Sequence, residues 1–235
     1  MVDASRLGEV IDILVSSRSL DDYRTMFSLT DADLCSGRIL DCGGGAASLV
    51  ADVRARGGQA VAIDPLYHTP LETILAQAVT SRTLMADYMS YVPRQYHVGA
   101  AGEIEAYLRG WDAARSRFAA DARTCPADYV GASLPHLPFP DKVFSLALCA
   151  YLLFTFPEHF PPPTQVAALR ELARVTRGEV RIYPIVDGTG CCCRHLELLR
   201  STLASDNPPI TSQLRAVPHH WQANAHEMLV LNPSG

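Results

Sequence analysis

The sequence predicts an α/β fold built on a parallel sheet, and three features of residues 37–67 lead to that prediction. A short apolar run, Arg38 to Cys42, ends at three consecutive glycines, and a helix-length segment with small and apolar residues on one face follows. A second apolar run, Ala60 to Ile63, then ends at Asp64. A strand, a helix and a strand joined in this way form adjacent parallel strands through a right-handed crossover. The stretch therefore predicts a Rossmann-like unit.

The glycines and the acid that closes the second strand indicate that this unit binds a nucleoside. Gly43 to Gly45 let the backbone approach a ligand without a Cβ in the way. Asp64, roughly 20 residues further on, suits the hydroxyls of a ribose. The dinucleotide fingerprint G-x-G-x-x-G does not fit, because Ser48 stands where its third glycine would be. The turn alone leaves open a Rossmann-like fold with another ligand.

The run from Asp41 to Ala47 resembles motif I of the class I S-adenosylmethionine (SAM)-dependent methyltransferases. That motif is an acidic residue followed by G-x-G-x-G, and here Ala47 replaces the last glycine. The resemblance implies that Asp41 orients the aminoacyl end of SAM and that Gly43 and Gly45 pass beneath it. It also implies that Asp64 accepts both ribose hydroxyls.

The segment between the third and fourth strands resembles the adenine-side loop and motif IV of the small-molecule methyltransferases. A strand at residues 129–131 is followed by Ser133, the letters L-P-F-P-D and a strand over residues 143–149. Family members usually place an aspartate at the position of Ser133, where it accepts from the adenine amine. Here the Ser133 hydroxyl, or the backbone of Leu134, would serve. The resemblance implies the cofactor-binding residues Tyr23, Asp41, Gly43, Gly45, Asp64, Pro65, Leu66, Ser133, Leu134 and Cys149.

The likeness to small bacterial SAM-dependent methyltransferase-like proteins covers roughly residues 20 to 232 and includes DDYRTMF, AIDPLY and the final HEMLVL. It implies an α/β, Rossmann-like, seven-stranded sheet whose last strand is antiparallel. We expect an N-terminal helical lid over residues 1–30, a SAM-binding domain over residues 31–235 and a helical insertion at about 70–121. The alternative to a lid is that the first helices only cover an edge of the sheet and have no role at the cofactor.

Hydrophobic spacing places the helices within this scheme. We predict helices over residues 6–17, 20–27, 70–80, 84–92, 103–120 and 191–203. A further helix is expected from Thr164 to Val175, with Gly178 as the residue that stops it. Ser19 is the expected N-cap of the second helix and Thr164 that of the helix it begins. We expect strands five to seven over residues 179–186, 213–218 and 226–232. Tyr88, Tyr91, Tyr107 and Trp111 in the insertion are candidates for the mouth of the pocket.

Candidate substrate and catalytic residues follow the fourth strand, because ligands of such sheets bind beyond the carboxyl ends of the strands. The predicted substrate pocket consists of Phe27, Tyr151, Phe154 and Tyr183, with Phe156 as a further candidate. The predicted catalytic residues are Tyr23, Tyr151 and His159. A base is needed only if the nucleophile arrives protonated, and His219, His220 and Tyr183 are the other candidates.

Composition excludes several classes of function. The 235 residues carry a formal net charge of −5, and the arginines are scattered, which argues against a nucleic-acid partner. Asp206 to Ile210 resembles the N/D-P-P-Y motif of nucleic-acid methyltransferases but lacks its aromatic residue. No apolar run is long enough to span a bilayer, so we expect a cytoplasmic protein without a membrane partner. The three cysteines at 191–193 lack C-x-x-C spacing, so we predict no metal.

Three functions remain open. The first is methyl transfer from SAM to a small apolar or aromatic metabolite. The second is cyclisation of SAM with release of methylthioadenosine, which a resemblance to the azetidine-2-carboxylate synthases suggests. The third is non-catalytic SAM binding. The sequence predicts a small-molecule substrate and leaves its identity and the oligomeric state undetermined.

Overall fold

The structure, a computed structural model, describes residues 14–97, 101–219 and 221–233. Its seven strands are β1 Arg38–Cys42, β2 Gln59–Ile63, β3 Tyr129–Val130, β4 Phe144–Ala150, β5 Thr176–Tyr183, β6 Ile210–Ala216 and β7 Glu227–Pro233. They form one sheet in the order β3-β2-β1-β4-β5-β7-β6. Strands β1 to β5 are parallel, and β7 is antiparallel to both β5 and β6. The predicted seven-stranded Rossmann-like sheet with an antiparallel seventh strand is confirmed.

The helices of the described residues cover the sheet and form the insertion. Their bounds are α1 Leu20–Phe27, α2 Asp31–Cys35, α3 Leu49–Arg54, α4 Leu71–Tyr91, α5 Ala101–Thr124, α6 Pro162–Val175 and α7 Leu196–Ala204. Helices α4 and α5 stand between β2 and β3, where the sequence places an insertion. None of the described helices is long and apolar enough to cross a membrane.

Both faces of the sheet are buried, as the near-continuous apolar strands require. Leu40 and Val61 point to the face that α6 and α7 cover, and they share a core with Leu169. Ile39 and Leu148 point to the opposite face, which α1 and α3 cover. Alternate residues of β1 therefore serve two separate cores.

Helix α1 begins at a capping box. The Ser19 hydroxyl accepts from the backbone N–H of Asp22 over 3.2 Å, and Oδ2 of Asp22 accepts from the backbone N–H of Ser19 over 2.9 Å. The N-cap predicted at Ser19 is confirmed. Tyr23 and Phe27 on this helix are buried in the core beneath the sheet face. The division into a lid of residues 1–30 and a separate SAM-binding domain stays a prediction.

The two helices predicted over residues 70–80 and 84–92 are one helix, α4. Ser81, between the two predicted helices, is buried, and its hydroxyl accepts from the backbone N–H of Val15 over 3.1 Å. Arg82 pairs with Glu105 and Asp112 on α5. Tertiary partners thus satisfy the polar residues at this point, and the helix continues through it.

The helix predicted over residues 6–17 falls partly outside the described residues, and residues 14–17 are not helical. The backbone carbonyl of Ser16 accepts from the N–H of Ala46 over 2.9 Å, and that of Arg18 accepts from the N–H of Ser48 over 3.0 Å. The carbonyl groups of this segment accept hydrogen bonds from residues next to the glycine turn, and not from N–H groups of a helix of their own. We refer to residues 14–18 as the N-terminal strap.

Two predictions about α6 are wrong. The helix begins at Pro162, with Pro161 as an N-cap that makes no side-chain bond, so Thr164 is not the cap. Proline suits the first helical position because it has no N–H to satisfy there. Gly178 does not end the helix but lies inside β5, where a Cβ would come within 2.1 Å of the Ser145 carbonyl oxygen. The register between β4 and β5 shifts at this point, and only glycine allows the strands to approach so closely.

The three adjacent cysteines lie ahead of α7 rather than on it. Cys191 and Cys192 are exposed, and Cys192 forms an isolated bridge with Val186. The helix begins at Leu196.

The strands predicted over 179–186 and 213–218 start three residues earlier, at Thr176 and Ile210.

Candidate active site

A cavity of about 450 Å³ opens at the carboxyl ends of β1, β2 and β4. This volume falls within the range of roughly 300–1,000 Å³ that is typical of small-molecule sites. The strap forms one wall, the insertion a second, and the segments that follow β4 and β5 a third. Residues from each wall are Ser16, Arg18, Leu84, Met85, Tyr88, Trp111, Tyr151, Phe156 and Asp187.

The glycine turn after β1 is held against β2. The N–H groups of Gly43 and Gly44 both donate to the carbonyl oxygen of Ile63, over 3.0 and 3.1 Å. Gly43 has φ of +77° and Gly45 has φ of +52°, a conformation that other residues adopt only with strain. A Cβ on Gly45 would lie 2.9 Å from the Ser16 carbonyl oxygen. The turn is therefore restricted to glycine by conformation and by the strap.

Asp64 joins the end of β2 to this turn. Its Oδ2 accepts from the N–H of Gly45 over 3.0 Å, and its Oδ1 accepts from the N–H of Leu66 over 3.0 Å. Burial raises the pKa of Asp64, and these two backbone bonds oppose that shift. Each oxygen of an ionised carboxylate can accept a further bond. A carboxylate held this way, on the wall of the cavity, can still accept from two hydroxyls.

Asp41 lies beneath the turn and is 1% exposed. The phenol of Tyr23 donates to it, with distances of 2.9 Å to Oδ1 and 3.0 Å to Oδ2. Burial raises the pKa of Asp41 to about 7, while the Tyr23 bond and the charge of Arg18 act in the opposite direction. Neither Asp41 nor Tyr23 lines the cavity. In this geometry Tyr23 holds Asp41 beneath the turn, and a role of either residue toward SAM stays a prediction.

Tyr151 turns the chain away from β4 at the edge of the cavity. Its φ is +48°, and its N–H donates to the carbonyl oxygen of Tyr183 over 2.6 Å. The Arg18 guanidinium lies 4.3 Å from the centre of the Tyr151 ring. Burial raises the pKa of Tyr151, so its phenol stays protonated at neutral pH. It can donate a hydrogen bond but is a poor base.

No family model and no curated protein matches the chain. Solved structures that are similar include a protein from Pyrococcus horikoshii OT3, with 15% identity over 84% of this chain and 82% of that one and a TM-score of 0.47. Magnesium protoporphyrin IX methyltransferase from Synechocystis PCC 6803, solved with bound SAM, has 12% identity over 87% and 73% and a TM-score of 0.46. A SAM-dependent methyltransferase from Aquifex aeolicus has 13% identity over 98% and 97% and a TM-score of 0.42.

The strand order decides the fold class, because β7 is inserted antiparallel between β5 and β6 in an otherwise parallel sheet. The chain has the class I methyltransferase fold. The fold alone does not determine the reaction or the substrate, which depend on the residues of the site.

Eight of the residues predicted for the site line the cavity of this methyltransferase fold: Gly43, Gly45, Asp64, Pro65, Leu66, Ser133, Leu134 and Tyr151. They come from the glycine turn, the end of β2, the loop after β3 and the end of β4. The chain segments that the motifs identified therefore converge on one place. Phe156, a further candidate, also lines it.

Four further predicted residues lie elsewhere. Phe27 and Phe154 are buried in the two cores, and the Tyr183 hydroxyl donates to the carbonyl oxygen of Ala225 over 2.9 Å. Cys149 is buried beside Cys42 in the sheet. None of these side chains lines the cavity, because each points into the packed layers of the sheet.

Two of the histidine candidates, His159 and His219, do not line the cavity. His159 is exposed and lies against the ring of Phe156, with 6.2 Å between ring centres. His219 is buried, and its Nδ1 lies 2.7 Å from the Thr25 hydroxyl. His220 lies outside the described residues.

Among the four candidates for the pocket mouth, Tyr88 and Trp111 line the cavity, while Tyr91 is exposed and Tyr107 packs on Trp221.

Sequence reasoning missed several lining residues, among them Arg18, Tyr96, Asp187 and Gln222. Arg18 stands just ahead of a capping residue, with no motif around it. Asp187 could have been predicted, because it directly follows the strand predicted to end at residue 186. Ligands of such sheets bind beyond the carboxyl ends of the strands, which is the reason that Tyr151 was a candidate. Its Oδ1 accepts from Thr189 and Cys191, which fixes the loop.

The described residues contain no group of three or more histidine, cysteine or acidic side chains arranged to hold a metal ion. Among the residues that the structure describes, the carboxylates on the cavity wall are Asp64, Glu158 and Asp187, which come from three different segments, and the cation is Arg18. The rest of the lining is mostly apolar and aromatic.

Proposed function

We propose that this protein is a SAM-dependent enzyme that transfers the methyl group of SAM to a small, largely apolar or aromatic acceptor. One observation carries the proposal. The N–H of Gly45 lies 3.0 Å from Oδ2 of Asp64, on the wall of a cavity of about 450 Å³. This contact joins the glycine turn and the strand-end carboxylate into one nucleoside-binding surface.

The residues on that surface fit SAM. Gly43 and Gly45 both line the cavity and both have positive φ values. A Cβ on Gly43 would lie 3.3 Å from the side chain of Leu152, which lines the cavity too, so the turn approaches its neighbours closely. In our proposal the aminoacyl chain lies over this turn, and Asp64 accepts from the ribose hydroxyls. Ser133 and Leu134, across the cavity, lie beside the adenine.

The rest of the cavity suits an apolar acceptor. Its wall includes Leu84 and Met85 from α4, Trp111 from α5, and Phe156 and Phe160 from the segment after β4. Aromatic and aliphatic walls bind flat apolar molecules and exclude water. Exclusion of water favours a displacement reaction, because water would otherwise solvate the nucleophile.

SAM, when bound, supplies a methyl group on a positively charged sulfur. The acceptor's lone pair forms the new bond to the methyl carbon as the bond from carbon to sulfur breaks and its electron pair returns to sulfur. The protein's contribution is to hold the three atoms in line. Tyr151 and Trp111 border the space where acceptor and methyl group would meet, and the protonated phenol of Tyr151 can orient a polar acceptor atom.

A proton-accepting group is required only for a protonated nucleophile. Among the described residues, Asp187 and Glu158 are the carboxylates of the cavity wall that the nucleoside surface does not use. Asp187 is the better placed of the two, because its loop is fixed by bonds to Thr189 and Cys191 and by Gln222, whose amide donates to its carbonyl oxygen. His159 stays a prediction for this role.

The nucleoside product distinguishes the candidate functions. The purified protein is incubated with SAM alone and then with SAM carrying a deuterated methyl group plus a deproteinised metabolite extract. We expect S-adenosylhomocysteine only when extract is present, together with a labelled acceptor. Methylthioadenosine formed from SAM alone would instead support cyclisation. Tight binding without turnover in any extract would support a binding protein.

A further inference from the structure

The feature that the nucleoside surface does not explain is a buried cation in the strap. Arg18 is 7% exposed and lines the cavity. A guanidinium has five N–H groups and stays charged at all physiological pH values. Burying such a group is unfavourable unless an anion or several acceptors surround it. The buried guanidinium of Arg18 therefore requires hydrogen-bond acceptors or an anion close to it.

The described residues supply few of them. Nη1 of Arg18 donates to the Ser16 hydroxyl, and Nε is buried without a hydrogen-bond partner. No carboxylate of residues 14–97, 101–219 and 221–233 lies within ion-pairing distance of this guanidinium, whereas 16 other pairs between a cation and a carboxylate are formed there. The charge of Arg18 is thus not neutralised within this part of the protein.

Three acids around the site are engaged elsewhere. Asp41 accepts from Tyr23, and Asp64 accepts from two backbone N–H groups. Oδ1 of Asp187 accepts from the loop that follows it. Each of these contacts holds its carboxylate in place, so none is free to turn to Arg18 without breaking a bond.

Two aromatic rings hold the guanidinium at the cavity wall. Its central carbon lies 4.3 Å from the centre of the Tyr151 ring and 5.9 Å from that of Trp111. These cation–π contacts orient the planar group, but a ring carries no net charge. Nη1 is engaged by Ser16, so Nε and Nη2 are the donors left for a planar, two-oxygen anion.

We propose that Arg18 binds a carboxylate of the ligand that occupies the cavity. This inference rests on the proposed function for the ligand's identity. The strap lies on the glycine turn through the bond from the Ala46 N–H to the Ser16 carbonyl oxygen, so the carboxylate of the SAM aminoacyl chain is the expected source. A carboxylate on the acceptor is the other source of the same chemistry.

The first arm of the test compares SAM with decarboxylated SAM by calorimetry. Wild-type protein should bind SAM roughly ten- to a hundredfold more tightly, the range expected for a charge-assisted contact of two hydrogen bonds. Arg18→Met, which keeps most of the apolar stem, should bind the two compounds with affinities within about twofold of each other. Arg18→Lys keeps the charge without the fork and should retain part of the preference. Because the two ligands are compared within each variant, a general weakening of the fold does not mimic the result.

Arg109→Met is the matched control. Arg109 is exposed on α5 and does not line the cavity, so this substitution removes the same charge without touching the site. It should leave the preference for SAM at the wild-type value. Thermal unfolding of each variant establishes that it is folded at the temperature of the titration.

The second arm tests the acceptor as the source. Benzoate and benzyl alcohol are titrated into the wild type, Arg18→Met and Arg109→Met, with and without S-adenosylhomocysteine. If the acceptor supplies the carboxylate, benzoate should bind more tightly than benzyl alcohol to the wild type and to Arg109→Met but not to Arg18→Met. The inference would be overturned if Arg18→Met changed neither the preference for SAM over decarboxylated SAM nor the preference for benzoate over benzyl alcohol. Wild-type protein that binds neither SAM nor S-adenosylhomocysteine would instead contradict the proposed function, and the benzoate titration would still decide the role of Arg18.

Discussion

The phenol of Tyr23 donates to both carboxylate oxygens of Asp41, over 2.9 and 3.0 Å, in a site where both residues are almost completely buried. Helix α1 is thereby tied to the end of β1, directly beneath the glycine turn. Burial raises the pKa of Asp41 to about 7, well above its ordinary value. The contact links the N-terminal part of the chain to the charge state of the acid in motif I.

The first prediction concerns the pH dependence of stability. The folded protein keeps a proton on Asp41 up to about pH 7, whereas the unfolded chain releases it near pH 4. Between these values the folded state binds more protons, so the contribution of Asp41 to the free energy of unfolding falls as pH rises and levels off about one pH unit above 7. The slope is about 1.4 kcal/mol per pH unit at most.

Urea denaturation of the wild type and of Asp41→Asn at pH 5, 6, 7 and 8 checks this prediction. The amide introduced by the substitution does not titrate, so the wild type should lose stability relative to the variant mainly from pH 5 to 7, with only a small further loss up to pH 8. The difference between the two proteins isolates Asp41 from acids such as Glu171, whose pKa is lowered by Arg174 and whose contribution has the opposite sign. Parallel curves would contradict the assignment.

The second prediction concerns Tyr23 itself. Tyr23→Phe removes the only side chain that donates to Asp41 among the described residues and should cost roughly 1–3 kcal/mol at pH 8, where the carboxylate is ionised. At pH 5 the loss should be smaller, because a protonated carboxyl is less costly to bury. The double variant with Asp41→Asn is the control. Costs that simply add in the double variant would show that the two side chains do not interact.

The third prediction separates conformation from crowding at the glycine turn. Gly45 and Gly57 both have positive φ, +52° and +80°, but a Cβ on Gly45 would lie 2.9 Å from the Ser16 carbonyl oxygen, while one on Gly57 would have nothing within 4 Å. Gly57→Ala should therefore cost only the left-handed conformation, roughly 1–2 kcal/mol. Gly45→Ala should cost more and also weaken SAM binding. Equal losses of stability, measured by urea denaturation, would show that the strap does not constrain the turn.

The fourth prediction concerns the ribose. Asp64→Ala should weaken SAM binding by roughly 1–3 kcal/mol, because two ligand hydroxyls lose their acceptor. Glu72→Ala removes an exposed carboxylate that pairs with Arg123 outside the cavity and should leave the affinity unchanged. Calorimetry measures both. Equal affinities for Asp64→Ala and the wild type would refute the ribose assignment.

Much of the fold was predictable because its signals are local. The strand–glycine–helix–strand unit and the capping box at Ser19 depend on residues close together in the sequence. Several of the boundaries that failed depend on distant partners. The carbonyls of Ser16 and Arg18 accept from residues beside the glycine turn, the Ser81 hydroxyl accepts from the N–H of Val15, and Gly178 is required by its approach to Ser145.

The site divides in the same way. Glycines and acids at strand ends identified the nucleoside surface, because their positions follow from the order of elements. Side-chain direction did not follow from sequence, so Phe154 and Tyr183 were assigned to the pocket although they point into the core. Arg18 carried no signal because its role depends on Tyr151 and Trp111, which are far away in the chain.

A crystal structure of the protein with SAM tests the central claim most directly. We predict that the ribose hydroxyls lie within hydrogen-bonding distance of Asp64, that the aminoacyl chain crosses the turn from Gly43 to Gly45, and that the methyl group points to the side of the cavity bordered by Tyr151 and Trp111. SAM bound elsewhere, or calorimetry that detects no binding of SAM at any concentration, would contradict the account.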